Sequence, residues 1–235
     1  QQPFSIYYMT VSGHCGYSLK DNAMSRKNYD LVDYDGSEAV KCYLASQLEL
    51  EKAMESLIRQ LEEAGIANDT VIVISPDHYP YGLERSATWK NAKNYLKELY
   101  GVTEMNRFSR DNNALIIWSG CLEDKNLKVE TPVYSLDILP TLSNLFGLDY
   151  DSRLLVGRDV FSDTEPLVLW PEFSWKTDKG TYEAESRTFT PAEGADVEDG
   201  YVERIKAIVS NKISYSREVQ NMKYFQVLSD YLNGK

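Results

Sequence analysis

Thr70-Val71-Ile72-Val73-Ile74-Ser75-Pro76-Asp77-His78 is the stretch on which the fold turns. Its β-branched apolar run suits a buried strand, and Pro76, with no N–H to give a ladder, ends that strand near Ser75. Asp77 and His78 then fall at a strand's carboxyl end, where open α/β sheets gather their ligands. A hard carboxylate oxygen beside an imidazole nitrogen is a candidate half of a metal site. An Asp after a strand is also a common turn former or helix cap, and two residues alone are a weak signal. What favours a site is that the chain has only two histidines, His14 and His78, and each follows an expected strand.

Upstream, residues 4–11 form an apolar, aromatic run that reads as a strand, closed by Ser12-Gly13 just before His14. Residues 20–36 are polar and without period, so they read as a surface loop holding at most one short helical turn. From Ser37 the pattern changes. Val40, Tyr43, Leu44, Leu50, Met54, Leu57, Ile58 and Leu61 recur at helical spacing, with Gly65 just past the end. Strand, helix and strand make a βαβ unit, whose crossover forces parallel pairing and brings the carboxyl ends to one edge. On this reading His14 and Asp77-His78 share one rim.

Downstream, Tyr79-Pro80-Tyr81-Gly82-Leu83 reads as a rigid turn, residues 89–100 as a helix closed by Gly101, and residues 114–118 as a third strand. A helix follows over 133–148, with Asp137 as N-cap, Pro140 in the first turn and Gly147 as its stop. Residues 167–170 and 181–184 read as antiparallel edge strands around Asp178-Lys179-Gly180, with Trp170, Phe173 and Trp175 as packing residues. An acidic loop over 185–199 leads to a largely helical stretch, 201–232, with a break at Asn211-Lys212. The expected architecture is α/β: a mainly parallel sheet flanked by helices over 1–165, with a C-terminal antiparallel hairpin and helix over 166–235 of the same domain.

Composition narrows the function classes. The chain has 235 residues, 43% apolar and 26% charged, as in ordinary globular proteins. Its apolar runs fall well short of the ~20 residues of a membrane span. A formal charge of −11 argues against nucleic acid as a partner. Cys15, Cys42 and Cys121 are widely spaced, which points to buried free thiols rather than a zinc ribbon or a disulfide framework. Cys15 beside His14 is a poor thiolate pair if both lie on extended chain, where neighbours point apart. The chain also opens in mid-strand, as a piece of something longer would.

Taken together, residues 3–14, residues 70–78, Ser135-Leu136-Asp137-Ile138-Leu139-Pro140-Thr141-Leu142 and Gly157-Arg158-Asp159-Val160-Phe161 resemble the catalytic domain of the lipoteichoic acid synthase and phosphoglycerol transferase group. That group lies within the sulfatase and alkaline phosphatase superfamily. The likeness runs in order from residue 3 to about residue 228. It implies that Asp77 and His78 bind a divalent cation, with Mn²⁺ ahead of Mg²⁺, Ca²⁺ or Zn²⁺, and that His14 holds phosphate oxygens of the substrate. Gly16 and Pro76 depart from the group's pattern. The group's threonine nucleophile and a further acidic ligand belong to a segment upstream of the match to Pro3, so the nucleophile is expected outside these residues.

The resemblance therefore implies part of a metal-dependent phosphoglycerol transferase or phosphodiesterase. Its substrates would be phosphate or sulfate esters, including phosphatidylglycerol or a glycerophosphate polymer. The parent would work at the extracellular face of the cell membrane and meet that membrane only through its own N-terminal part. A sulfatase using the same rim, or a non-catalytic accessory module on the same scaffold, are the alternatives.

Overall fold

The computed structural model describes residues 3–84 and 95–234. Two compact units divide the chain, residues 1–126 and residues 127–235. The first holds helices α1 (Ala23–Asn28) and α2 (Glu38–Glu63), strand β1 (Ile72–Ile74), helices α3 (Tyr95–Tyr100) and α4 (Arg107–Arg110), and strand β2 (Ile116–Trp118). The first half of the helix expected over 89–100 lies outside the described residues; the remainder is α3.

Helix α2 forms as its sequence dictates. The Ser37 hydroxyl accepts the Val40 N–H at 3.3 Å, Val40, Cys42 and Ala45 are buried, and Gly65 takes a left-handed φ of 70° just past the end. The stretch read as a polar surface loop with room for one short helical turn contains the six-residue α1, capped by Asn22 and packed on α2 rather than turned to solvent. Its polar residues are structural: Ser25 donates to the Cys42 carbonyl at 2.7 Å, and Asn28 donates to the Ala45 carbonyl at 3.1 Å while accepting from Lys52 at 2.7 Å. Both are fully buried, so composition alone mistakes internal partners for solvent-facing groups.

The strands differ more from expectation. Ile72–Ile74 and Ile116–Trp118 form where strands are expected, but they pair antiparallel, with Val73 opposite Ile117. Residues 4–11 join no ladder: Phe4, Ile6, Tyr7, Tyr8, Met9 and Val11 are exposed. The expected parallel βαβ pairing is therefore absent among the described residues. A strand needs a neighbour to satisfy its N–H and C=O groups, and β-favouring composition supplies none.

The second unit holds helix α5 (Ile138–Leu145), strands β3 (Val168–Leu169), β4 (Trp175–Thr177), β5 (Gly180–Glu183) and β6 (Thr188–Pro191), then helices α6 (Tyr201–Asn221) and α7 (Tyr224–Leu232). The strands make one antiparallel sheet in sequence order. The turn after Thr177 joins β4 to β5, and the 167–170 segment is an outer strand beside β4. Part of the expected acidic loop is β6, whose Phe189 lies opposite Tyr182. Trp175, Tyr182, Tyr201, Ile205 and Val209 form the core between sheet and α6. Of the three expected packing residues, Trp175 is buried whereas Phe173 is exposed at φ 71°. The helical break falls at Lys223, left-handed at φ 49°, rather than at Asn211-Lys212.

Asp137 stands at the N-cap position of α5 without capping it. Its carboxylate accepts the Tyr134 N–H at 3.1 Å and the Arg158 N–H at 2.8 Å, so it joins the turn before the helix to the Gly157-Arg158-Asp159 segment. Thr141 extends the link, donating to the Asp137 carbonyl at 2.6 Å and accepting the Val160 N–H at 3.1 Å.

Candidate functional site

Asp77 and His78 follow β1 directly, on irregular chain. Asp77 Oδ2 lies 3.4 Å from His78 Nε2, and the two side chains are 82% and 45% exposed. The other ring nitrogen, Nδ1, lies 2.7 Å from the Tyr79 carbonyl oxygen. A carbonyl only accepts, so Nδ1 is the donor in this contact, and in the neutral ring the lone pair is then on Nε2, the nitrogen beside the Asp77 carboxylate. A metal-ligating histidine is held this way, its second nitrogen tied to an oxygen that sets tautomer and ring angle. The spacing fits as well, since two ligands each about 2.1 Å from one cation stand roughly 3.0 to 3.4 Å apart. Among the described residues no group of three or more His, Cys, Asp or Glu side chains is placed to hold a metal ion.

The turn read from Tyr79-Pro80-Tyr81-Gly82-Leu83 is real, ending in a 3₁₀ turn at Tyr81–Leu83. It carries two features that the sequence reading missed. The Tyr81 ring lies 4.6 Å from the His78 ring, and Tyr79 is pinned through its hydroxyl to Glu84 at 2.7 Å, with the Arg110 guanidinium 4.4 Å above its ring. Two tyrosines flanking a Pro directly after the histidine were the available signal.

His14 sits on an exposed turn closed by its own N–H to the Val11 carbonyl at 3.1 Å. Asn22 donates to the His14 carbonyl at 3.2 Å and Tyr17 to the Gly13 carbonyl at 3.0 Å. Gly13 packs so closely on Gln47 of α2 that a side chain there would collide with it. Because the chain turns here instead of extending, Cys15 does not point away from its neighbour: its Sγ is 3.7 Å from His14 Nδ1. The two loops meet at Gly82, where an added Cβ would lie 2.8 Å from Cys15 Cβ and 2.9 Å from Tyr17 Cε2. The structure thus brings Asp77 to His78 directly, and the His14 turn to the loop that follows them. The three cysteines are free, as expected, but only Cys42 is buried, and Cys121 is exposed.

Residues 1–148 match the sulfatase family model. The chain belongs to the sulfatase family. It is also 25% identical over 182 residues to lipoteichoic acid synthase 1 of Bacillus subtilis, covering 77% of this chain and 27% of that protein. Lipoteichoic acid synthase of Staphylococcus aureus (strain USA300) is 26% identical over 177 residues, covering 72% of this chain and 24% of that protein. The enzyme of Staphylococcus saprophyticus is 24% identical over 173 residues, covering 71% and 25%. The chain spans about a quarter of the length of these relatives. The three relatives are lipoteichoic acid synthases, in line with the group that the sequence resembles, and the α/β class of the sulfatase family suits the mixed helices and sheets seen here. No described helix is long and apolar enough to cross a membrane.

Proposed function

We propose that this chain carries the cation- and phosphate-holding loops of a metal-dependent phosphoglycerol transferase or phosphodiesterase. Its substrate would be a phosphate ester of membrane lipid or of cell-envelope glycerophosphate, phosphatidylglycerol included, met at the outer face of the cell membrane. The observation that carries the reading is His78 Nε2 standing 3.4 Å from Asp77 Oδ2, with the ring held from behind by the Tyr79 carbonyl.

Asp77 and His78 would hold a divalent cation, Mn²⁺ first, which when bound neutralises charge on a phosphoryl oxygen. The Asp77 carboxylate offers a hard oxygen, and the Tyr79 carbonyl keeps the His78 ring from turning its protonated edge toward the site. His14, on its turn beside Cys15, would donate to a second substrate oxygen and steady the charge that develops there. In this reading the hydroxyl nucleophile, a threonine, would be supplied by a further segment of the parent enzyme.

The family match over residues 1–148 also favours a second reading, a sulfuric ester hydrolase working with the same side chains. Turnover of a chromogenic phosphodiester and a chromogenic sulfate ester by the full-length protein, each with and without Mn²⁺, tests both. Phosphodiester turnover that needs Mn²⁺ is expected; cleavage of the sulfate ester alone establishes the second reading, and turnover indifferent to cations removes the metal from either.

A further inference from the structure

The two halves of the candidate site stand on separate loops, and one side chain touches the supports of both. Tyr17 lies between them. Its hydroxyl donates to the carbonyl of Gly13, the residue before His14, at 3.0 Å. Its ring edge abuts Gly82, inside the 3₁₀ turn whose first residue, Tyr81, lies tilted against the His78 ring with centroids 4.6 Å apart. From behind, the ring stands edge-on to Tyr43 of α2, with centroids 5.2 Å apart and planes at 83°. Gly82 has no side chain where both Tyr17 and Cys15 press on it, so the loops close to a distance that a Cβ would prevent.

The geometry points to Tyr17 as a positioning residue that sets the His14 turn and the Asp77-His78 loop in register with each other. The inference rests on the reading of those loops as one site. Its two ends act by different forces. The hydroxyl end is a directional hydrogen bond that holds the peptide ahead of His14. The ring end is steric and aromatic, and reaches His78 only through Gly82 and Tyr81. The hydroxyl is half-buried and its proton is committed to its own turn, which is the work of a positioning residue. Burial raises the energy of its phenolate and keeps it a neutral donor.

These two ends can be separated experimentally, because the chain has only two histidines. The 235-residue chain is labelled at histidine, and the two imidazole signals are assigned with His14→Ala and His78→Ala. In the cation-free protein, Tyr17→Phe keeps the ring and loses the hydroxyl, so it should shift the His14 signals and leave those of His78 in place. Tyr17→Leu loses both and should shift the two together. Gly82→Ala, which pushes from the opposite side, should also shift both and serves where Tyr17→Leu does not fold. A purely structural tyrosine would lower the melting temperature without this pattern. The inference is overturned if Tyr17→Phe leaves His14 unmoved, or if Tyr17→Leu and Gly82→Ala leave His78 unmoved. Mn²⁺ added to the unmodified chain separates this from the functional reading: failure to broaden the His78 signals removes the cation, while the coupling is decided by the cation-free spectra.

Discussion

The Asp137 carboxylate takes the backbone N–H of Arg158 at 2.8 Å, across 21 positions of chain. Asp137 is nearly fully buried, and that burial pushes its carboxyl above the ordinary aspartate range; the N–H groups of Arg158 and Tyr134, and the charges of Arg158 and Lys212, pull the other way. A carboxyl with a raised folded value holds its proton more tightly in the native state than in the unfolded one. Stability contributed by the protonated form is therefore full below the unfolded value, about 4, and is lost as pH rises through the folded value.

Asp137→Asn should flatten that slope. The amide keeps one acceptor but turns a donor toward a backbone N–H, so the variant is expected to lose about 1–3 kcal/mol near neutral pH. The deficit should widen as the pH falls from neutral through the folded value toward about 4, because only the unmodified chain gains from the added proton. Urea unfolding midpoints of both proteins across that range check it, and a deficit that narrows on acidification would contradict the sign.

Gly157→Ala tests the same joint from its other side. A Cβ at Gly157 would collide with the Leu136 carbonyl, which is backbone and cannot swing aside. The expected cost is about 1–3 kcal/mol, the range for overpacking, read as a lower thermal midpoint. Alanine at Gly65, where nothing lies within 4 Å, should cost mainly the strain of its left-handed φ of 70°.

Asp77→Asn and His78→Gln should each remove Mn²⁺ binding by the chain while leaving its stability within about 0.5 kcal/mol, because both side chains are well exposed. Paramagnetic relaxation of water protons and a thermal melt give the two readouts. Unchanged relaxation in both variants would place any bound cation elsewhere.

Thiol labelling should be strongly ordered. Cys121 is exposed and should react first; Cys42 lies buried under α1, and burial pushes its thiol up to about 11, so thiolate is scarce at neutral pH. Timed alkylation followed by peptide mass spectrometry should find Cys42 modified last. Early labelling of Cys42 would mean that α1 opens readily from α2.

Much of this was legible from residues alone, where the determinants are local. The α2 boundaries follow from Ser37, the apolar period and Gly65, and the end of β1 from Pro76. What sequence could not carry was partnership. Residues 4–11 have the composition of a strand without a neighbour to pair with, and β1 found β2 in antiparallel register. Ser25 and Asn28 look like loop residues until the carbonyls of α2 are in place to receive them. At the candidate site, the adjacency of Asp77 and His78 was on the page from the start, but the tautomer set by Tyr79 and the wedge of Tyr17 at Gly82 depend on loop geometry that no spacing rule encodes.

The aromatic nest of the second unit has an optical consequence. Trp175 is fully buried, its ring centroid lies 5.5 Å from those of both Tyr182 and Phe189 and 6.2 Å from that of Tyr201, and its indole Nε1 has no hydrogen-bond partner among the described residues. Held rigidly among other rings and away from water, it is a built-in chromophore whose circular dichroism near 280 nm, about the indole band, depends on fixed packing rather than on helix content. If sheet and α6 loosen while the helices persist, that signal should fade before the far-ultraviolet one, which makes Trp175 a gauge of tight packing in its unit.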